Sequence, residues 1–413
     1  MTFAQWQELA PAAAAREIHQ RVRSRLSSVQ QRAVVAFLRP ESEIAADFAG
    51  AAPGSPLGRI PFFAKDLFDV GGVPTFGGSA FLPEVRLTRA ADGALVKATK
   101  ATGAVLAGKT QMHEFAYGVT GENPTYGDCE SPRAPGRTTG GSSSGSAAVV
   151  AAGIAPLALG SDTGCSVRLP AAFCGIYGFR LMPRDPWISD ALGLATTFDT
   201  AGWFTDNAPD MRTAIGALVG LRTSQREPRG CYLEMPGLDP DVATACHQAA
   251  TRFAEPAEPF VRDDLLHGFG PARDSYNAIT AIEAWEVHQG WAEKCQDRYD
   301  PNVWQRLTRV RSITPAQIAD ADLGLATIRM LWTKFFLTYD FLILAATPFP
   351  AMTKAECTFE NRMRILTLNA PASIGGLPVL TVPVTLPSGL TTGLQIIVNS
   401  PQSPVVNWVL GRC

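Results

Sequence analysis

Strands alternating with helices along the chain predict an α/β layered fold. Three observations carry that prediction. Short apolar runs suited to buried strands recur at residues 33–38, 58–70, 104–107 and 157–160. Helical patterns separate them, at 91–102 and 147–153, with another helix starting at 170–174. Late runs at 342–346, 379–384 and 394–398 read as strands completing the sheet.

Each element has its own justification. Residues 1–30 are helical in pattern, with Trp6, Leu9, Ile18, Val22 and Leu26 on one side. The 33–38 run stops before Pro40, which suits a strand end. Lys65 sits inside the 58–70 run. The 91–102 helix is supported by apolar residues at 94, 95 and 98. The segment 104–107 is a buried strand that turns at Gly108. Residues 118–146 are loop-like, rich in Gly, Pro, Ser and Thr. The stretch 205–340 is mostly helical, with Trp285, Trp291, Trp304 and Trp332 and more charge. Without an internal repeat or low-complexity linker, one domain over 1–413 is expected. Its parts are an N-terminal helical segment 1–30, a core 58–200, a variable region 205–340 and closing strands 341–400.

Composition narrows the function. The 413 residues are 46% hydrophobic and 18% charged, enough for a large core. A formal net charge of −2 points to no nucleic-acid partner. Eight scattered cysteines lack metal-site spacing and are expected as thiols. The five histidines form no HExxH, so no metal and no cofactor is expected. The first residues do not read as a secretory signal, and no run of about 18 apolar residues would span a membrane. A cytoplasmic protein follows as the expectation.

Three motifs compete for the chemistry. GAVLAGKT at 103–110 fits the P-loop pattern, yet strand-like residues lie inside the loop, where an extended backbone cannot curl round a phosphate. GSSSG at 141–145 fits the GxSxG elbow, but no strand runs into it. The third combines TTGGSSSGSAA at 138–148 with LGSDTGCSVRLPAAFCG at 159–175. The segment TGGSSSGSAAVVAAGIAPLALGSDTGCSVRLPAAFCGIYGFR resembles the core of the amidase signature family. PFFAKDLFDV, GAVLAGKTQMHEFAYGVTGENPTYG, DFLILAATPFPA and GGLPVLTVPV resemble it too, in the same order. The resemblance is strong over 55–200, moderate over 340–400 and weak over 205–335.

This resemblance implies a mixed, twisted central sheet covered by helices on both faces. It also implies an amidohydrolase that works through an acyl-enzyme on a small-to-medium carboxamide. Carried over by position, the nucleophile falls on Ser166 and the bridging serine on Ser142, 24 residues earlier, after a cis peptide at Gly141. The lysine falls on Lys65. Backbone N–H groups of Thr163, Gly164, Cys165 and Ser166 would form the oxyanion hole. Asp162 and Arg168 would brace the loops, Ser143 would bond the lysine, and Ala116 and Gly141 would face the substrate. The bland alternatives are a surface ion pair for Asp162 and Arg168 and a solvated strand lysine for Lys65.

The residues support the chemistry on their own terms. A serine hydroxyl needs a base in hydrogen-bond reach. His113 is the one histidine near these segments. A lysine serves only when neutral, which burial promotes. Phe62, Phe63 and Leu67 flank Lys65, and alternation would turn Asp66 to the other face.

Three positions depart from the family pattern. Cys165 and Ser144 stand where it has glycine, and proline comes late in GFRLMP. Left-handed angles at Cys165 would distort the oxyanion hole. Two rival functions stay open: the ammonia-generating subunit of a tRNA-dependent amidotransferase, and a non-catalytic binding protein of the same fold. A homodimer is also open. The tryptophans and Phe115–Tyr117 lean toward an apolar or aryl carboxamide of the indole-acetamide type.

Overall fold

The computed structural model describes residues 1–52 and 54–413. The strands are β1 (Val35–Leu38), β2 (Pro61–Lys65), β3 (Val105–Thr110), β4 (Glu130–Ser131), β5 (Ala134–Thr138) and β6 (Leu157–Asp162). They continue with β7 (Tyr177–Arg180), β8 (Thr200–Thr205), β9 (Gly230–Tyr232), β10 (Phe341–Ala345), β11 (Val379–Thr385) and β12 (Thr391–Val398). Ten of them form one sheet in the order β1-β3-β2-β6-β8-β7-β11-β12-β10-β9, while β4 and β5 pair separately. The sheet is mixed: β3, β2 and β6 run parallel, and β8, β7, β11 and β12 join antiparallel. Helices flank it. Strands β2, β3, β6 and β10 are buried along their whole length, which is why they read as apolar runs.

Several boundaries differ from the sequence reading. The N-terminal pattern breaks into helices Phe3–Gln7, Pro11–Arg25 and Ser28–Val34, with Pro11 opening the second and Ser27 capping the third. The last of these takes up the start of the 33–38 run. Only Pro61–Lys65 of the 58–70 run is strand. The 91–102 helix is Ala94–Ala101, and it buries Leu95 as expected, with Val96 and Thr99 in place of Ala94 and Ala98. The small-residue helix begins at Ser144, and the next runs Arg168–Cys174, starting two residues before Pro170. Glycine is required at position 145, where a Cβ would lie 2.4 Å from the Val34 carbonyl. The sequence pattern does not mark β7, β8, β9 or the helix Phe359–Gly375. Among the described residues, no helix is long and apolar enough to cross a membrane.

The expected turn at Gly108 does not occur, because β3 continues to Thr110. A Cβ at Gly108 would sit 2.1 Å from the Phe37 carbonyl, so glycine lets β1 close on β3. Lys109 therefore lies in the sheet, buried, with Nζ 2.5 Å from Asp66 Oδ1. No phosphate cradle can form there. Removing one partner of a buried ion pair strands the other, at a cost of about 3–5 kcal/mol. Lys109→Met should destabilise the fold by that amount in denaturant titration. Adding Asp66→Leu should recover part of the loss, and a neutral single substitution would show the pair to be dispensable.

Candidate active site

The two-residue alternation of β2 turns Lys65 and Asp66 to different partners. Asp66 goes to Lys109, whereas Lys65 Nζ lies 2.7 Å from Ser142 Oγ and 2.8 Å from Ser161 Oγ. Lys65 is fully buried. Burial lowers its pKa to about 7, against the opposing pull of Asp162 and Asp199. The solvated-lysine alternative is thereby excluded.

Ser142 follows a cis peptide from Gly141, as the resemblance implied. Gly141 N–H donates to the Val119 carbonyl at 2.8 Å, which fixes the turn behind Ser142. Ser142 is fully buried, while Ser166 keeps 4% exposure. Ser166 lies in the turn between β6 and the Arg168–Cys174 helix. Among the described residues, its hydroxyl has no hydrogen-bond partner, and the N–H groups of Thr163, Gly164, Cys165 and Ser166 are spent on no protein acceptor.

Asp162 shapes that turn. Its carboxylate accepts from the N–H groups of Val167 at 2.9 Å and Arg168 at 3.2 Å. Arg168 and Arg180 each lie 2.8 Å from Asp162 Oδ1, and all three residues are fully buried. Burial alone would raise the Asp162 pKa, but the two guanidinium groups hold it well below the usual carboxylate range. The surface-pair alternative therefore fails. Arg168 also donates to the Gly164 carbonyl at 2.5 Å and to Ser373 Oγ at 2.7 Å, tying the turn to the Phe359–Gly375 helix.

The expected Ser143–lysine bond is absent. Ser143 Oγ instead donates to the Ser161 carbonyl at 3.0 Å, and Ser161 takes the place beside the amine. Ser143 springs from the start of a helix that packs on β6, so its hydroxyl reaches that strand's backbone rather than Lys65. Sequence reasoning missed Ser161, Arg180 and Asp199. Asp199 accepts from Thr163 Oγ1 at 2.5 Å, and burial raises its pKa to about 6.

The departures from glycine are accommodated. Cys165 and Ser144 both lie outside the left-handed region. The Cys165 side chain is buried among Val119, Leu169 and Phe173, and burial pushes its thiol up to about 12. Left-handed backbone occurs instead at Phe115 (φ 51°) and Ala116 (φ 58°). That is uncommon for side-chain-bearing residues, and such outliers concentrate at functional sites. His113 is buried, and burial with nearby Arg306 holds it well below its ordinary pKa.

A cavity of about 580 Å³ has Tyr117, Asn277, Arg306 and Arg362 in its wall, and no residue of the 162–166 turn lines it. Tyr276, the chain neighbour of Asn277, reaches the turn, since a Cβ at Gly164 would sit 2.6 Å from its hydroxyl. None of the four tryptophans of the helical region lines the cavity. Trp332 packs on Phe269 and Phe336, and Trp291 and Trp304 pack on His288 and Tyr299. The lean toward an aryl substrate loses that support.

Known proteins share this arrangement of chain. An indoleacetamide hydrolase of Pseudomonas syringae pv. syringae is 40% identical over 227 residues, 52% of this chain and 49% of that protein. The chain thus spans about half the length of that relative. A glutamyl-tRNA(Gln) amidotransferase chain from Symbiobacterium thermophilum is 29% identical over 399 residues, 84% of this chain and 81% of the relative. A crystal structure of an amidase superposes with a TM-score of 0.86 at 26% identity, covering 100% of this chain and 99% of that one. Residues 15–249, more than half of the sequence and the part that holds Lys65, Ser142 and Ser166, match the family described as Amidase, and the chain belongs to that family.

Proposed function

We propose that this protein hydrolyses a carboxamide through an acyl-enzyme on Ser166. The observation that carries the reading is a buried amine, able to be neutral near pH 7, within 2.7 Å of the Ser142 hydroxyl. Ser166 attacks the amide carbonyl. Its proton passes to Ser142, whose own proton moves to the Lys65 lone pair. The carbonyl oxygen takes the negative charge and accepts from the free N–H groups of 163–166. Lys65 returns the proton through Ser142 to the leaving nitrogen, and the C–N bond breaks. Water then attacks the ester by the same relay, releasing the acid and restoring Ser166. Ser161 holds the amine in place, Ser143 supports the Ser161 backbone, and Asp162 with Arg168 and Arg180 keeps the turn in shape. Ala116 and Gly141 line the approach of the substrate. No cofactor enters these steps.

We read residues 1–413 as one domain, because strands from both ends of the chain share one sheet. All eight cysteines are free, which fits a reducing cytoplasm. Purified protein alone should release ammonia or amine from simple carboxamides, and a fluorophosphonate should label Ser166. Ammonia delivery that depended on a second protein would favour the amidotransferase reading. Neither release nor labelling would favour a binding protein.

A further inference from the structure

The cavity of about 580 Å³ carries charge that the mechanism above leaves unused. Its wall holds Arg306, Arg309 and Arg362 against a single carboxylate, Glu122. That carboxylate is already engaged, by Lys354 at 3.0 Å and by the Thr120 hydroxyl at 2.7 Å. Among the described residues, none of the three arginines pairs with a carboxylate. Arg306 donates to the Tyr117 carbonyl and approaches His113 Nε2 at 3.4 Å. Arg362 Nε is buried with no partner at all. Two residues further along the same helix, Arg364 is satisfied by Asp239 at 2.8 Å, so the helix does not simply lack acidic neighbours.

Arg362 is half-buried, with its Nε withdrawn from water; leaving such a group unpaired is costly, and a ligand that supplies the anion relieves it. Arg362 is drawn below its ordinary pKa by burial. One turn along the same helix, Leu366 abuts the Gly164 position, as does the hydroxyl of Tyr276, the chain neighbour of Asn277 in the cavity wall. Tyr117, in the same wall, follows the left-handed pair Phe115 and Ala116. The unpaired cation therefore stands one helical turn from a side chain that abuts the oxyanion turn. Arginine presents a planar fork matched to a carboxylate.

We infer that the amide cleaved at this site carries a carboxylate a few bonds from the scissile carbonyl, and that Arg362, supported by Arg306, receives it in this cavity. The inference rests on the hydrolase reading but is tested apart from it. Binding is measured by calorimetry on the Ser166→Ala protein. The probes are monoamides of C3 to C6 dicarboxylic acids, each with an uncharged alkyl amide of equal length. At least one acid should bind about 10- to 100-fold more tightly than its uncharged counterpart, the range of a charge-assisted pair. Arg362→Met in that background should abolish the preference, and Arg362→Lys should restore part of it, which a merely structural role would not do. Equal binding of acids and uncharged amides overturns the inference. So does an acid preference that survives both Arg362→Met and Arg306→Met. In the unmutated protein, the ratio of kcat/KM for acid over uncharged amide should follow the binding ratio. Uncharged amides cleaved better than acids would leave the hydrolase standing and this inference fallen. Selective acid binding with no cleavage and no fluorophosphonate labelling would do the reverse.

Discussion

Ser166→Ala should lower kcat/KM for amide hydrolysis by about 10⁴- to 10⁶-fold, the scale of loss when a serine nucleophile is removed. The fold should survive the change. Ser166 keeps 4% exposure, and among the described residues its hydroxyl donates to no protein group, so its loss strands no buried partner. Stability should stay within about 1 kcal/mol in denaturant titration. The neighbouring thiol cannot stand in, because Cys165 is fully buried and its pKa is pushed up to about 12. Covalent labelling by a fluorophosphonate should vanish with the hydroxyl, as read by intact mass. Activity above about one-hundredth of the parent would remove Ser166 from the nucleophile's role.

The parts of this site legible in the sequence are those held by local chain. Lys65 stood out because a charged residue in an apolar run must be either solvated at an edge or buried for a reason, and β2 is buried from Pro61 to Lys65. Ser142 and Ser166 were placed by the resemblance of the segments 138–148 and 159–175 to the amidase signature. Arg180 and Asp199 did not, because neither has a local pattern. Arg180 reaches Asp162 only because β7 pairs with β8, and β8 with β6. β8 itself, TAGWFT, is short and threonine-rich, and its central place in the sheet comes from pairing on both edges. Ser161 was hidden for another reason. It lies one step past the apolar part of β6, where alternation aims it at Lys65 from the neighbouring strand. Where the tryptophans point was not legible, because residue type does not tell which side of a helix faces a cavity. The cavity wall is drawn largely from helices of the 272–363 region, whose packing rests on contacts far apart in sequence.

The pH dependence of hydrolysis should test the base itself. Burial lowers Lys65 to about 7, against an ordinary lysine near 10.4. The base works only when neutral, so activity is lost as pH falls through its pKa. We expect kcat/KM to rise about tenfold per pH unit below the midpoint and to level off above it, with the midpoint between about 7 and 9.5. Stability should respond in the matching direction. Between about pH 7 and 10.4 the unfolded chain holds a proton on Lys65 that the folded chain has released. Unfolding free energy therefore gains from this group as pH rises across that window. Lys65→Met should flatten both dependences and cut the rate by about 10²- to 10⁴-fold. Asp199 offers a gentler probe. Its carboxylate pulls the Lys65 pKa upward, so Asp199→Asn should move the limb to lower pH without abolishing it. His113 is the rival base, yet burial and Arg306 hold it well below 6.5. A histidine limb would lie on the acid side of that value and disappear in His113→Asn. Should the observed limb persist in Lys65→Met and vanish in His113→Asn, the base is the histidine, and the relay through Ser142 falls with the lysine.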